Sequence, residues 1–162
     1  MARRYMLDTN TASYIIKGNV PSIRRRLLKV PMEQLAISAV TEGELQYGVA
    51  RRLDAKHLQS FVNEFLLRVD VLPWDSAAAQ QYGHLRAALE REGQAIGNLD
   101  TMIGAHALAV GAVLVTNDHA FRRIRKLKVE DWTKGPQQRG NQANRGTETS
   151  GASEPNPKHL GL

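Results

Sequence analysis

The chain has 162 residues, of which 42 % are hydrophobic and 23 % are charged, a balance typical of a globular domain with its own core. It contains no cysteine, which excludes a disulfide framework and a thiolate metal site and is compatible with a reducing cytoplasm. The formal net charge of +6 favours a polyanionic partner such as nucleic acid, although a merely basic surface would give the same balance. The N-terminus lacks the apolar run of a signal peptide, and the apolar stretch around 105–115 is too short to cross a membrane.

Short apolar runs alternate with helical patterns along the first 132 residues. The runs that predict strands are 4–7, 35–38, 69–72 and 112–116, with 128–132 as an edge strand or coil. The patterns that predict helices are 9–16, 22–29, 41–51, 55–67, 76–92, 99–110 and a short helix at 119–125. Since strands separated by helices are joined by βα crossovers, we expect an α/β fold with a short central parallel sheet covered by helices on both faces.

Composition changes abruptly after Trp132. Residues 133–162 are rich in Gly, Asn, Gln, Ser and Pro and have almost no apolar side chains, so this segment is predicted to be disordered. We therefore expect a folded domain over 1–132 and a polar tail over 133–162. The tail contributes only +2 of the net charge of +6, so the folded domain is itself basic.

Four acidic residues lie where predicted strands meet predicted helices. Asp8 directly follows the first strand, and Asp118 lies two residues after the fourth. Glu44 lies early in the helix after the second strand, and Asp100 lies at the start of the helix before the fourth strand. These points share one rim of a parallel sheet, near the topological switch point where ligands bind. We therefore expect the four carboxylates to converge.

Each acid also has a purely structural explanation. Asp8 and Asp118 are suitable N-caps, Thr41 and Glu44 have capping-box spacing, and Asp100 is favoured at the positive end of a helix dipole. Capping does not require convergence, however, and clustered carboxylates repel one another unless a cation lies between them. Mg²⁺ prefers such oxygen ligands, and it can activate a water for attack on a phosphate.

The neighbouring polar residues admit two interpretations. Thr9, Thr116 and Asn117 flank two of the acids, where they either position water and phosphate or serve as ordinary turn and cap residues. The five histidines show no metal-ligand spacing, and we expect His106 to be packed or solvated rather than catalytic. A histidine-based ribonuclease mechanism therefore has little support.

Four motifs appear in an order that resembles the PIN-domain ribonucleases, specifically the VapC toxins of type II toxin–antitoxin pairs. They are YMLDTNT, ISAVTEGELQYGV, NLDTMIGAHAL and VLVTNDHAFRRIRKLKVEDW, and the resemblance covers residues 1–132. Carried over by motif, the resemblance implies that Asp8, Glu44, Asp100 and Asp118 are the catalytic, metal-binding acids. Thr116 matches the position that helps to hold metal-bound water. Glu42 is a rival for the role of Glu44 but falls outside the E-L-x-Y-G motif.

The resemblance also implies the activity and the partners. We expect a Mg²⁺-dependent endoribonuclease, with Mn²⁺ as a possible substitute, that leaves a 5′-phosphate and a 3′-hydroxyl. The family implies a VapB-type antitoxin, a homodimer within a larger toxin–antitoxin oligomer, a cytoplasmic location and a tRNA substrate, with the anticodon loop of initiator tRNA as one candidate.

Basic residues in two helical segments are candidates for binding RNA. Arg24 and Arg25 lie in the second predicted helix, and Arg122 and Arg123 follow Asp118. Contacts to phosphates would position the RNA without reading its sequence. Solvated helix faces or antitoxin contacts would explain the same residues.

Two alternatives to an endoribonuclease remain open. The first is a non-nucleolytic PIN module that acts within a DNA-binding antitoxin complex. The second is a structure-specific DNA nuclease, since hydrolysis by a metal-activated water does not require a 2′-hydroxyl.

Overall fold

The structure is a computed structural model that describes residues 2–135. Its strands are β1 (Tyr5–Leu7), β2 (Leu35–Ser38), β3 (Asp70–Leu72), β4 (Val113–Val115) and β5 (Val129–Glu130). Its helices are α1 (Thr9–Lys17), α2 (Pro21–Leu27), α3 (Ala39–Ala50), α4 (Lys56–Arg68), α5 (Ser76–Arg91) and α6 (Asn98–Ala109), with 3₁₀ segments at Met32–Gln34 and His119–Arg123. Apart from residues 133–135, the predicted polar tail lies outside the described residues, so its separation from the domain stays a prediction.

The five strands form one parallel sheet in the order β3-β2-β1-β4-β5. The central strand β1 pairs with β2 on one side and with β4 on the other, with Leu7 opposite both Ile37 and Val115. Strands β2 and β3 lie on one side of β1, and β4 and β5 lie on the other side. The carboxyl ends of β1 and β4 therefore flank a switch-point crevice, as the sequence predicts.

Both faces of the sheet are covered, which confirms the predicted fold class. Tyr5 and Leu7 point into one apolar core, while Met6 between them points into a second core on the opposite face. This alternation follows from the two-residue period of a strand. Within residues 2–135, no helix combines the length and the apolar character that crossing a bilayer would require.

Helix α3 begins earlier than the sequence suggested. Ser38 is its N-cap, and its hydroxyl accepts a hydrogen bond from the N–H of Val40 at 3.1 Å. The predicted capping box of Thr41 and Glu44 is therefore wrong, because both residues lie inside the helix. The buried Thr41 hydroxyl has no hydrogen-bond partner within the described part of the chain.

Other boundaries differ by smaller amounts. Helix α2 ends at Leu27 instead of continuing to residue 29. The predicted short helix after Asp118 is a 3₁₀ segment, and the segment predicted as an edge strand or coil forms the two-residue strand β5 at the edge of the sheet.

Candidate active site

Asp8 lies at the switch point, directly after β1. The residue is 3 % exposed, and its Oδ1 accepts a hydrogen bond from the N–H of Thr11 at 2.7 Å, so the expected capping role is confirmed. Oδ2 accepts a hydrogen bond from the hydroxyl of Thr116, which follows the neighbouring strand β4. Burial raises the pKa of Asp8 above its ordinary value, hydrogen bonds from Thr116 and Thr11 oppose this rise, and the charge of Asp118 adds to it.

Asp118 follows β4 and is the N-cap of the 3₁₀ segment. Its Oδ1 accepts a hydrogen bond from the N–H of Ala120 at 2.8 Å, so this acid is also a cap. Its own N–H donates to the hydroxyl of Thr116 at 3.0 Å. Thr116 therefore connects the two acids, because its hydroxyl contacts one carboxylate and the backbone of the other residue.

Glu44 reaches the same region from α3. Its Oε1 accepts a hydrogen bond from the hydroxyl of Thr9 at 2.6 Å. Since Thr9 directly follows Asp8, this bond connects α3 to the end of β1. The rival Glu42 has no hydrogen bond or ion pair among residues 2–135, whereas Glu44 contributes to the field at Asp100.

Asp100 lies in the first turn of α6 and is half-buried. Loss of solvent raises its pKa from 3.8 to about 6, and the charges of Asp118, Glu44 and Asp8 add to this effect. Burial is the larger cause of the shift, and the three carboxylates contribute because their charges act on Asp100. These contributions support the predicted convergence of the four acids, which stays a prediction.

A glycine in α6 allows the helix to come close to the 3₁₀ segment. Gly104 lies one turn beyond Asp100, and a Cβ atom at this position would lie 2.5 Å from Cδ1 of Ile124 and 3.7 Å from Cδ1 of Phe121. A side chain at this position would require Ile124 to shift. The glycine therefore lets the helix that carries Asp100 pack closely against the segment that follows Asp118.

The four acids have no basic counter-charge in the part of the chain that the structure describes. Six ion pairs occur among residues 2–135, and none includes any of these acids. Within residues 2–135, no three carboxylate or imidazole side chains lie close enough together to coordinate one ion directly. A hard cation that keeps several waters and takes one or two carboxylates fits this donor set; a closed protein cage does not.

A cavity of about 300 Å³ opens beside Asp118. Thr116 and Asn117 line it together with His119, Arg122 and other residues of the segment that follows β4. The amide of Asn117 donates a long hydrogen bond of 3.4 Å to the Tyr14 hydroxyl. Of the three supporting residues, Thr9 and Thr116 thus bond directly to candidate acids, whereas Asn117 does not.

The candidate RNA contacts do not all have free side chains. Arg24, Arg25 and Arg122 are exposed and have no ion pair among the described residues. Arg123 donates to the carbonyl of Ala95 at 3.0 Å, which ties it to the loop before α6. The structure thus separates Arg123 from the other three.

Two buried contacts were missed by the sequence reasoning. The Thr11 hydroxyl donates to the carbonyl of Val115 at 3.0 Å and adds a second connection between α1 and β4. His106, which we expected to be packed or solvated, is buried with its Nδ1 2.8 Å from the Ser38 hydroxyl. The spacing of Asp8 and Thr11 is typical of a helix cap and was the sequence signal available for the contact of Thr11. No local pattern in the sequence links Ser38 to His106.

The sequence profile of the PIN domain matches residues 5–127, which is most of the chain. The chain belongs to the PIN-domain family. PIN-domain ribonucleases generally depend on divalent metal ions, which agrees with an acid-rich site that lacks a basic counter-charge.

Similar proteins place this PIN domain among the VapC ribonucleases. It is 37 % identical over 131 residues to the tRNA(fMet)-specific endonuclease VapC of Shigella flexneri, which covers 80 % of this chain and 98 % of that protein. It is 39 % identical over 132 residues to ribonuclease VapC2 of Rickettsia felis, with the same coverage.

Solved structures give the same assignment. This PIN domain is similar to the DNA-bound VapBC complex from Salmonella typhimurium, with a TM-score of 0.76 and 38 % identity over 81 % of this chain and 99 % of that one. It is also similar to VapBC2 from Rickettsia felis bound to a fragment of its promoter, with a TM-score of 0.73 and 38 % identity over 78 % and 96 % of the two chains.

Proposed function

We propose that this PIN domain is the toxin of a type II toxin–antitoxin pair and an endoribonuclease that uses Mg²⁺, with Mn²⁺ as a substitute. The observation that carries the proposal is the position of Asp100, whose pKa is raised to about 6 by loss of solvent and further by the charges of Asp118, Glu44 and Asp8. Four carboxylates without a basic partner are unfavourable unless a cation binds among them. The proposal assigns the catalytic and metal-binding roles to these four residues.

The proposed reaction is hydrolysis of an RNA phosphodiester bond. A water oxygen forms a bond to phosphorus, the bond from phosphorus to O3′ breaks, and O3′ leaves with the electron pair and takes up a proton. The products are a 5′-phosphate and a 3′-hydroxyl. When bound, the divalent ion lowers the pKa of a water and stabilises negative charge on the phosphate.

The protein's own groups prepare this chemistry. Asp8 and Asp100 would hold the ion, and Asp118 and Glu44 would complete the acidic site. Thr116 donates a hydrogen bond to the Asp8 carboxylate, which favours its ionised form against the effect of burial on the pKa. Thr9 donates a hydrogen bond to Glu44 and orients its side chain. Asn117 takes a supporting place on the wall of the cavity beside Asp118.

The relatives support a substrate class and a partner. Two of them are named as specific for tRNA(fMet), from Shigella flexneri and Salmonella typhimurium, and we propose tRNA as the substrate, with the initiator tRNA anticodon loop as the target. The VapBC complexes support a VapB-type antitoxin as the partner. A homodimer within a larger toxin–antitoxin oligomer, acting in the cytoplasm, completes the proposal.

The decisive experiment compares the wild-type chain with an Asp8→Asn variant. Asparagine preserves the cap to Thr11 but removes the negative charge, so the fold should persist while Mg²⁺-dependent tRNA cleavage falls by at least about 10²-fold. The exposed Asp54→Asn variant is the matched control for loss of one acidic charge. Cleavage at the wild-type rate by the Asp8 variant would overturn the proposed role.

A DNA nuclease is the second candidate, because metal-assisted hydrolysis does not use the 2′-hydroxyl. Matched RNA and DNA hairpins should separate the two functions, and we expect cleavage of the RNA hairpin alone. A non-nucleolytic module would cleave neither hairpin, although it would still bind its antitoxin. The acid set with its raised pKa at Asp100 supports the nuclease over this module.

A further inference from the structure

A second and larger cavity lies next to the candidate active site. It has a volume of about 610 Å³ and lies between α2 and the segment that begins with β5. Its basic lining residues are Arg25, Arg26, Lys29, Arg122 and Lys134, and its acidic ones are Glu130 and Asp131. We call this cavity the basic cleft.

The basic cleft continues from the cavity beside Asp118. Arg122 and Asp131 line both cavities, so the two spaces share a wall. Arg122 lies four residues after Asp118 in the 3₁₀ segment, about 8 Å along its axis at a rise of about 2.0 Å per residue. A strand with one phosphate at Asp118 can therefore place a neighbouring phosphate at Arg122.

Two of the basic side chains in the basic cleft are paired with acidic residues of the protein itself. Arg26 forms an ion pair with Glu130 at 3.0 Å and lies over the rings of Tyr5 and Trp132, with its Cζ 5.9 and 5.5 Å from their centroids. Lys134 lies 3.7 Å from Asp131. These contacts form the wall of the cleft rather than a free binding surface.

Three cations remain for a ligand. Arg25, Lys29 and Arg122 are exposed, and none of them forms an ion pair with another residue of the described range 2–135. Arg25 and Lys29 are four residues apart, and the turn after α2 continues with a hydrogen bond from the Lys29 N–H to the Arg26 carbonyl at 3.0 Å. Such spacing places both cations on one side of the segment.

The lining favours a nucleic-acid backbone over a peptide. A protein partner usually anchors large apolar or aromatic side chains in the centre of its interface. The one aromatic side chain in the lining, Trp132, is only 4 % exposed. Free cations around a lining without an exposed aromatic side chain instead match a row of phosphates, which position a strand without reading its bases.

We infer that the basic cleft binds the phosphate backbone of the substrate RNA on one side of the bond to be cut, through Arg25, Lys29 and Arg122. This inference rests on the proposed endoribonuclease function and adds the path of the RNA across the protein. It includes Lys29, which sequence reasoning did not select, and it leaves out Arg24 and Arg123, which do not line the cleft.

The test measures binding of a long oligouridylate to the full chain that carries Asp8→Asn, so that no turnover occurs. The Arg25→Ala/Lys29→Ala double variant should reduce the slope of log affinity against log salt by about 1.4, because each lost phosphate contact contributes about 0.7 on a single strand. Arg122→Ala should reduce the slope by about 0.7. The Lys56→Ala/Arg68→Ala variant removes two exposed cations from α4, outside the cleft, and should not change the slope.

Several outcomes would overturn the inference. Equal slopes for the cleft variants and the α4 control would do so, and the Arg25→Gln/Lys29→Gln variant provides the same comparison if the alanine chain aggregates. Unchanged oligouridylate binding with weakened binding of the toxin–antitoxin complex to duplex DNA would assign the cleft to DNA instead. If the wild-type chain fails to cut RNA, the proposed function fails, but the slopes still decide whether the cleft binds RNA.

Discussion

The Thr116 hydroxyl donates a hydrogen bond to Oδ2 of Asp8 and thereby joins the carboxyl ends of two adjacent strands. The same hydroxyl accepts from the N–H of Asp118 at 3.0 Å. One buried side chain thus fixes the relation between two of the four candidate acids. Burial raises the pKa of the Asp8 carboxylate, and the hydrogen bond from Thr116 opposes this rise.

Replacing Thr116 with valine should impair metal binding while the fold persists. Valine has nearly the same shape but removes the hydroxyl, so the pKa of Asp8 rises further and the carboxylate holds a cation less well at neutral pH. We expect the Mg²⁺ concentration for half-maximal cleavage to rise by about tenfold, since loss of a hydrogen bond to a metal-binding side chain typically costs about 10–100-fold in affinity or activity. Thr116→Ser keeps the hydroxyl and should retain more affinity than valine; equal values for the two variants would contradict the role of this bond.

The raised pKa of Asp100 makes the metal-free fold sensitive to pH. The folded chain holds this proton up to a pKa of about 6, compared with an ordinary value of 3.8, so folding is favoured while the proton is bound. The free energy of unfolding should therefore fall as the pH rises through this window and level off above it. Urea unfolding in a chelator, followed across the window, measures this slope.

The matched chain for this experiment is Asp100→Asn, which cannot ionise. Protonation of the buried His106 acts in the opposite direction, because burial lowers its pKa and the folded state favours the neutral ring. The difference between the wild-type and Asp100→Asn curves cancels this common contribution. The free energy of unfolding of the wild type should fall relative to that of Asp100→Asn as the pH rises through the window. A constant difference between the two curves would show that the fold does not raise the pKa of Asp100.

Magnesium should stabilise the wild-type chain. An ion that binds only the folded state at about 100 times its Kd adds about 2.7 kcal/mol to the free energy of unfolding. Thermal melting with and without Mg²⁺ measures this gain, and Asp8→Asn/Asp100→Asn should lose most of it. An equal Mg²⁺-dependent shift in the double variant would place the ion elsewhere.

Gly104→Ala tests the close approach of α6 to the segment after Asp118. Alanine stabilises a helix by about 1 kcal/mol relative to glycine. Here, however, its Cβ would meet Ile124, and overpacking costs about 1–3 kcal/mol. We expect a net loss of about 1 kcal/mol of stability. Gly83→Ala in α5 is the control, because its Cβ would meet no atom within 4 Å, and this variant should be stabilised. Denaturant unfolding of both variants should show opposite signs.

Glu44 and Glu42 can be distinguished by a paired substitution. Glu44→Gln weakens the acceptor for Thr9 and removes one of the charges at Asp100, so tRNA cleavage should fall by about 10–100-fold. Glu42→Gln leaves these contacts intact and should cleave at a rate near wild type. The reverse result would transfer the role to Glu42.

The sequence predicted the strands of the sheet and the meeting point of the acids because both follow from local patterns. Asp8 and Asp118 each follow a short apolar run, and parallel strands bring such ends to one rim. The site residues themselves stay predictions, since their roles rest on the proposed function. Their convergence is supported by the pKa of Asp100, to which the other three contribute.

What the sequence did not predict depends on contacts between distant residues. The start of α3 was misplaced because Thr41 and Glu44 have the spacing of a capping box, while Ser38 at the end of a buried strand is the actual cap. Arg26 forms an ion pair with Glu130, which also accepts a hydrogen bond from Trp132. These contacts require α2 to pack against the edge of the sheet. No pattern within either segment encodes that arrangement.

The position of β1 between β2 and β4 bears on how the protein is made. A growing chain that has left the ribosome up to residue 110 has Asp8 but neither β4 nor the segment that carries Asp118. The crevice that carries the candidate acids is therefore assembled only after β4 and Asp118 have emerged. Under the proposed function, a shorter nascent chain lacks Asp118 and should not cleave RNA.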